Sequence, residues 1–138
     1  MKLTRLSVST AAAYCRHVIS ADGSTVVGLY DDAIRQTQFL IVRRTGGAVV
    51  SIIPLPRSVR GGNMAVSPDG TYIALTDAAP ATNEQTIVVV TRFGDPVDAI
   101  RGDVRDFKIE FMGTGALLMC AENLGVLTWD LFGPLDLA

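Results

Sequence analysis

The apolar residues of the chain fall into short runs that alternate with polar and turn-forming clusters, and no segment sustains the 3.6-residue period of an amphipathic helix. Two segments, His17-Val-Ile-Ser-Ala-Asp-Gly-Ser-Thr-Val-Val-Gly and Met64-Ala-Val-Ser-Pro-Asp-Gly-Thr-Tyr-Ile-Ala-Leu, set Asp-Gly between apolar stretches. A third, Ile109-Glu-Phe-Met-Gly-Thr-Gly-Ala-Leu-Leu-Met-Cys, replaces Asp-Gly with Gly-Thr-Gly. Glycine at such a bend tolerates positive φ, so each segment predicts a β-hairpin. A further apolar run follows each hairpin, at 39–44, 86–91 and 125–130, and ends in a turn at Gly46-Gly47, Gly94-Asp95 or Gly133-Pro134. Fourth runs come at 48–53, 96–100 and, briefly, 134–138. The predicted unit is four antiparallel strands, a to d, with b–c loops at 31–38, 77–85 and 122–124.

The units recur about every 46 residues. Strand–turn–strand units repeating at such a period point to the blades of a β-propeller. Measured from Gly23, Gly70 and Gly115, the residue four before is Ile19, Val66 or Phe111, and the residue three after is Val26, Ile73 or Leu118. Aligning Gly46, Gly94 and Gly133 brings Val42, Val90 and Trp129 together, which gives Trp129 a role in core packing. The run 86–91 is apolar enough for a strand covered on both faces. Ser67-Pro-Asp-Gly-Thr-Tyr-Ile-Ala74 resembles the a–b hairpin of the WD-repeat and related Ser-Pro-Asp-Gly propeller superfamily, and Leu127-Thr-Trp-Asp-Leu131 resembles its strand-c ending. The resemblance extends over essentially the whole chain and implies an all-β propeller fold, which serves many unrelated functions. A Trp-Asp pair occurs only in the third unit, and no unit has Gly-His before strand a, since His17 follows Arg16. No functional residue is therefore carried over.

Leu6 lies 17 residues before Gly23, just as Ile53 lies 17 before Gly70, so Leu3–Ser9 occupies the place of a d strand. The expected chain is one domain, 1–138, with three four-stranded blades at roughly 11–56, 57–101 and 102–138, the last completed by residues 1–10. Three blades fall short of the four to eight of a closed ring. The expectation is a homodimer whose chains exchange first strands and close a six-bladed ring, with a different subunit or a longer parent chain as the alternatives.

A formal net charge of −2 and 19% charged residues imply neither nucleic acid nor acidic lipid as a partner. Basic residues interleaved with aromatics are missing too. The first residues lack the apolar stretch of a secretory signal, and no apolar run reaches membrane-spanning length, so a cytoplasmic protein is expected. Cys15 and Cys120 are expected as reduced, partly buried thiols, with a structural disulfide as the alternative. His17 is the only histidine, which excludes a multi-histidine metal site within one chain, and it reads as a strand-a residue near the channel or packed in a hairpin. Asp31-Asp32, Asp77 and Glu122 read as solvated b–c loop residues, and the Asp-Gly turns lack calcium-loop spacing. No cofactor, metal or catalytic residue is expected.

Half of the twelve basic residues, Arg16, Arg57, Arg60, Arg101, Arg105 and Lys108, fall by this division in the d–a connections, which gather at a propeller's channel mouth. Guanidinium groups there suit carboxylate or phosphate, although Asp103 and Asp106 offset part of the charge. The sequence thus predicts a non-catalytic module that binds a protein partner through this loop face. The alternatives are a small anionic ligand held by Arg60 and Arg105, or, less favoured, a propeller hydrolase.

Overall fold

In a computed structural model, residues 12–32, 37–55, 64–78, 84–103, 108–113, 115–121 and 125–131 are described, and they form eleven strands and no helix. The first sheet is β1 (Ala12–Ile19), β2 (Thr25–Asp32), β3 (Thr37–Arg44) and β4 (Val49–Leu55) in that order. The second is β5 (Met64–Val66), β6 (Tyr72–Ala78), β7 (Glu84–Thr91) and β8 (Pro96–Asp103). The third holds β9 (Lys108–Phe111), β10 (Ala116–Ala121) and β11 (Gly125–Asp130). All pairings are antiparallel between sequence neighbours. The expected outer strand of the third unit, assigned to 1–10 with a stub at 134–138, lies outside the described residues.

The sheets stack face to face because their alternating apolar residues supply two faces. Val27, Leu29, Leu40, Val42 and Ile53 of the first sheet pack with Met64, Ile73, Leu75 and Val90 of the second. The opposite face of the second sheet offers Ala65, Ala74, Ile87 and Val89 to Ile109 and Leu117 of the third, with Phe111 and Trp129 packed alongside. In β7, residues 87 and 89 are buried against the third sheet and residue 90 against the first, as the unbroken apolar run predicts. Each fully buried aliphatic side chain of this kind contributes about 1.5–3 kcal/mol relative to exposure.

The turns explain the Ser-x-Asp-Gly pattern. Ser20 N–H donates to Thr25 O and Gly23 N–H to Ser20 O, each at 2.9 Å, and the equivalent bonds Ser67 to Tyr72 and Gly70 to Ser67 are also 2.9 Å. Within these turns the aspartate accepts from the residue two positions on, Ser24 N–H to Asp22 Oδ1 at 2.9 Å and Thr71 N–H to Asp69 Oδ1 at 3.0 Å. Gly23 and Gly70 have φ of +75° and +79°. A Cβ on Gly70 would stand 2.6 Å from Thr25 Cβ in the first sheet, whereas a Cβ on Gly23 would meet nothing within 4 Å.

Backbone pairing corrects two alignments. In the third unit the positive φ belongs to Gly113, and Met112 N–H bonds Ala116 O, so the turn is one residue shorter than in the other units. Leu117, opposite Phe111, is thus the counterpart of Ile73, opposite Val66; Leu118 is not. In the first unit Gly47, not Gly46, is the counterpart of Gly94, since both have positive φ and both donate to the carbonyl three residues back. Arg43, opposite Val26, therefore replaces Val42 as the counterpart of Val90 and Trp129.

The b–c loops are shorter than expected. Asp31 and Asp32 belong to β2, where Asp32 is buried opposite Thr37, and Asp77 lies in β6 opposite Thr86. Ladder pairing continues through these polar positions because β2–β3 and β6–β7 are interior strand pairs whose backbone groups must be satisfied.

Candidate functional site

The first strands of the three sheets, β1, β5 and β9, lie side by side and form the inner wall of the molecule. They enclose an open cavity of about 510 Å³, walled by Val18, Ile19, Met64, Val66, Phe111 and Leu118, with Lys108, Glu110 and Cys120 as its polar groups. The wall is largely apolar because the residues of β1 and β5 that reach it are aliphatic. A cation and a carboxylate two residues apart on β9 give it a mixed rather than a basic character.

The predicted basic residues do not all sit in connections. Arg16 is inside β1, opposite Leu29, and is exposed. Arg101 belongs to β8, opposite Thr86, and Lys108 opens β9, opposite Cys120. The strands reach further toward the d–a connections than their apolar cores suggest, so three of the six residues are ladder members. Of these, Lys108 reaches the cavity wall. Arg57, Arg60 and Arg105 lie outside the described residues. His17 is in β1 opposite Gly28, a strand-a position as expected. Among the described residues no group of three or more His, Cys, Asp or Glu could hold a metal ion. None of their helices could cross a membrane, since they contain none long and apolar enough.

Hydrogen bonding holds both turn aspartates below the usual carboxylate range. For Asp22 the leading cause is the Ser24 hydroxyl at 2.7 Å, followed by the Ser24 N–H and then the Ser20 hydroxyl at 2.7 Å. For Asp69 it is the Thr71 N–H, reinforced by the hydroxyls of Thr71 and Ser67. Charge on these aspartates is therefore engaged in the turns.

Two sheet faces point away from the stack, and the sequence did not single them out. On the first sheet, one row runs Ile19, Val26, Arg43, Val49 and the next His17, Gly28, Ile41, Ile52. Ile19, Val49 and Ile52 are 56%, 50% and 61% exposed. At their side Tyr30 and Phe39 stack with centroids 5.7 Å apart, and a Cβ on Gly28 would stand 2.8 Å from the Tyr30 ring. Arg43 lies deep in this face, 7% exposed, with Nη1–H donating to Gly47 O at 3.2 Å. On the third sheet the outward rows are Glu110, Leu118, Thr128 and Lys108, Cys120, Val126. Cys120 is an exposed free thiol, contrary to the partly buried expectation, because no neighbouring sheet covers its row. A signal for Arg43 was present in the sequence: Thr45-Gly46-Gly47 precedes Arg92-Phe93-Gly94 by the same 47 residues that separate Gly23 from Gly70.

No protein-family model matches the chain, and no curated protein matches it in sequence. Solved structures do resemble it. The C-terminal WD40 domain of Sif2 aligns over 96% of this chain and 35% of its own, at 13% identity and a TM-score of 0.62. The β-propeller domain of the Trilobed protease from Pyrococcus furiosus, described as having an open velcro topology, aligns over 82% and 35%, at 15% identity and a TM-score of 0.57. Prolyl oligopeptidase B from Galerina marginata aligns over 83% and 18%, at 8% identity and a TM-score of 0.59. The chain thus spans about a third of the first two structures. Its inner first strands, face-stacked sheets and neighbours together identify the fold as a β-propeller, of which this chain supplies three blades.

Proposed function

We propose that this chain is a non-catalytic propeller module that binds protein and acts in assembly. The observation that carries this reading is the outward face of the first blade. Its Ile19, Val26 and Arg43 are the counterparts of Val66, Ile73 and Val90, which the second blade packs against a neighbouring blade. Ile19 is exposed at a position that the second blade uses for contact, and Val49 and Ile52 extend the exposed apolar surface beside it, which together mark an interaction surface. The basic channel-mouth face remains part of the proposal through Arg16, Arg57, Arg60, Arg101, Arg105 and Lys108, and the cytoplasm is its proposed location.

The catalytic alternative draws on the peptidase propellers among the structural neighbours. A panel of chromogenic peptide and ester substrates decides it. The binding reading expects turnover no higher than buffer. Turnover that co-purifies with the chain and disappears in His17→Ala would overturn that reading. A second reading, capture of a small anion, is favoured by Lys108 on the cavity wall and opposed by Glu110 beside it. Phosphate or citrate would then raise the melting temperature, and Lys108→Ala would abolish the rise.

A further inference from the structure

We infer that the open cavity on the inner wall binds an extended apolar dipeptide with both termini free, laid along the outer edge of β9. The inference goes beyond the binding reading above and stands independently of it. The cavity, at about 510 Å³, is of the size of small-molecule sites, roughly 300–1,000 Å³, and like them joins apolar walls to a few polar groups. All four residues of β9 line it. Among the described strands β9 pairs only with β10, so the backbone groups of its other edge are open to an added strand.

Charge selects the occupant. Glu110 stands where the other two blades have Val18 and Ala65, which also line the cavity, so a carboxylate enters a position that the repeat keeps apolar. Lys108 lies two residues before it on the same face of the strand, and both side chains are exposed. Glu110 counts against a bare anion and Lys108 against a bare cation. A zwitterion answers both. Two residues of a strand span roughly 7 Å, and the backbone of an extended dipeptide spans the same distance. Running antiparallel to β9, the dipeptide brings its ammonium group to Glu110 and its carboxylate to Lys108, whereas a parallel one meets like charges. Its side chains alternate in face, so one lies on the Leu118 side of β9 and the other on the side of Ile109, which packs with β5. Leu118, together with Met64 and Val66 of β5, gives the cavity aliphatic walls that favour an apolar peptide.

Cys120 supplies the readout, because its exposed thiol lies opposite Lys108 on the cavity wall. Leucyl-leucine at millimolar concentration is expected to slow alkylation of Cys120 by iodoacetamide and to raise the melting temperature. Its N-acetylated and its C-amidated forms each lose one charge and are expected to bind about tenfold more weakly. Glycylglycine keeps both charges without the apolar side chains and is expected to give no protection. Lys108→Gln and Glu110→Gln alter exposed side chains, and each is expected to weaken binding of leucyl-leucine about tenfold while the fold is kept. The modified peptides act on the unaltered chain, so the test holds even if a variant does not fold. No protection of Cys120 by leucyl-leucine, equal binding of the acetylated or amidated form, or protection by glycylglycine would overturn the inference, as would folded variants that keep full affinity.

Discussion

The first and second blades share a pattern, yet one is covered on both faces and the other on one. In the second blade, Ile73 and Val90 lie against the first blade while Ala74 and Val89 lie against the third, and all four are nearly inaccessible. In the first blade, Val27 and Val42 are equally inaccessible, but on its other side Ile19, Val49 and Ile52 are half exposed or more. Local sequence makes both sides of a blade apolar, and only a neighbouring blade turns that into burial. A blade at the end of a stack therefore keeps an interior-like surface unless its residues change. This one has changed at Arg43, and the third blade at Glu110 and Thr128.

Truncating one residue on each surface should sharpen the contrast most. Ile73→Ala removes a fully buried side chain between two blades and is expected to cost about 2–5 kcal/mol. Ile52→Ala on the outward face is expected to cost less than about 1 kcal/mol, measured by denaturant unfolding of dilute chain. Equal costs would mean that the outward face is packed within the single chain.

A smaller effect separates the two well-formed turns. Gly23 and Gly70 have the same backbone conformation, so replacing either with alanine imposes the same strain, about 1 kcal/mol. Only Gly70 abuts Thr25 across the blade junction. Gly70→Ala is therefore expected to cost a further 1–3 kcal/mol, by roughly the cost of overpacking. Matching unfolding midpoints for the two variants would show that the turns do not hold the blades together.

The hairpins were legible because Asp-Gly needs only its own neighbours to form the turn, as were the doubly covered strand β7 and the packing role of Trp129. The third turn was misjudged by one residue because Gly-Thr-Gly offers two glycines, and only backbone hydrogen bonds choose Gly113 over Gly115. Gly46-Gly47 posed the same ambiguity, and it hid Arg43. Arg16, Arg101 and Lys108 looked like loop residues because each stands just outside a segment read as a strand, yet ladder pairing carries β1, β8 and β9 through them. The outward faces were illegible for a deeper reason: alternation states which residues share a face but not whether anything lies against it. That is also why Cys120, on the opposite face of β10 from the core residue Leu117, is an exposed thiol.

The central claim, that an apolar blade face is buried only where a neighbouring blade lies against it, is tested most directly by covalent footprinting. Ile52 and Val126, on the two outward faces, are 61% and 67% exposed, whereas Ile73 and Val89 of the second blade are inaccessible. Labelling of Ile52 and Val126 is predicted to approach that of the exposed Phe93, at the turn between β7 and β8, while Ile73 and Val89 stay unlabelled. Labelling of Ile73 and Val89 as strong as that of Ile52 and Val126 would contradict the account.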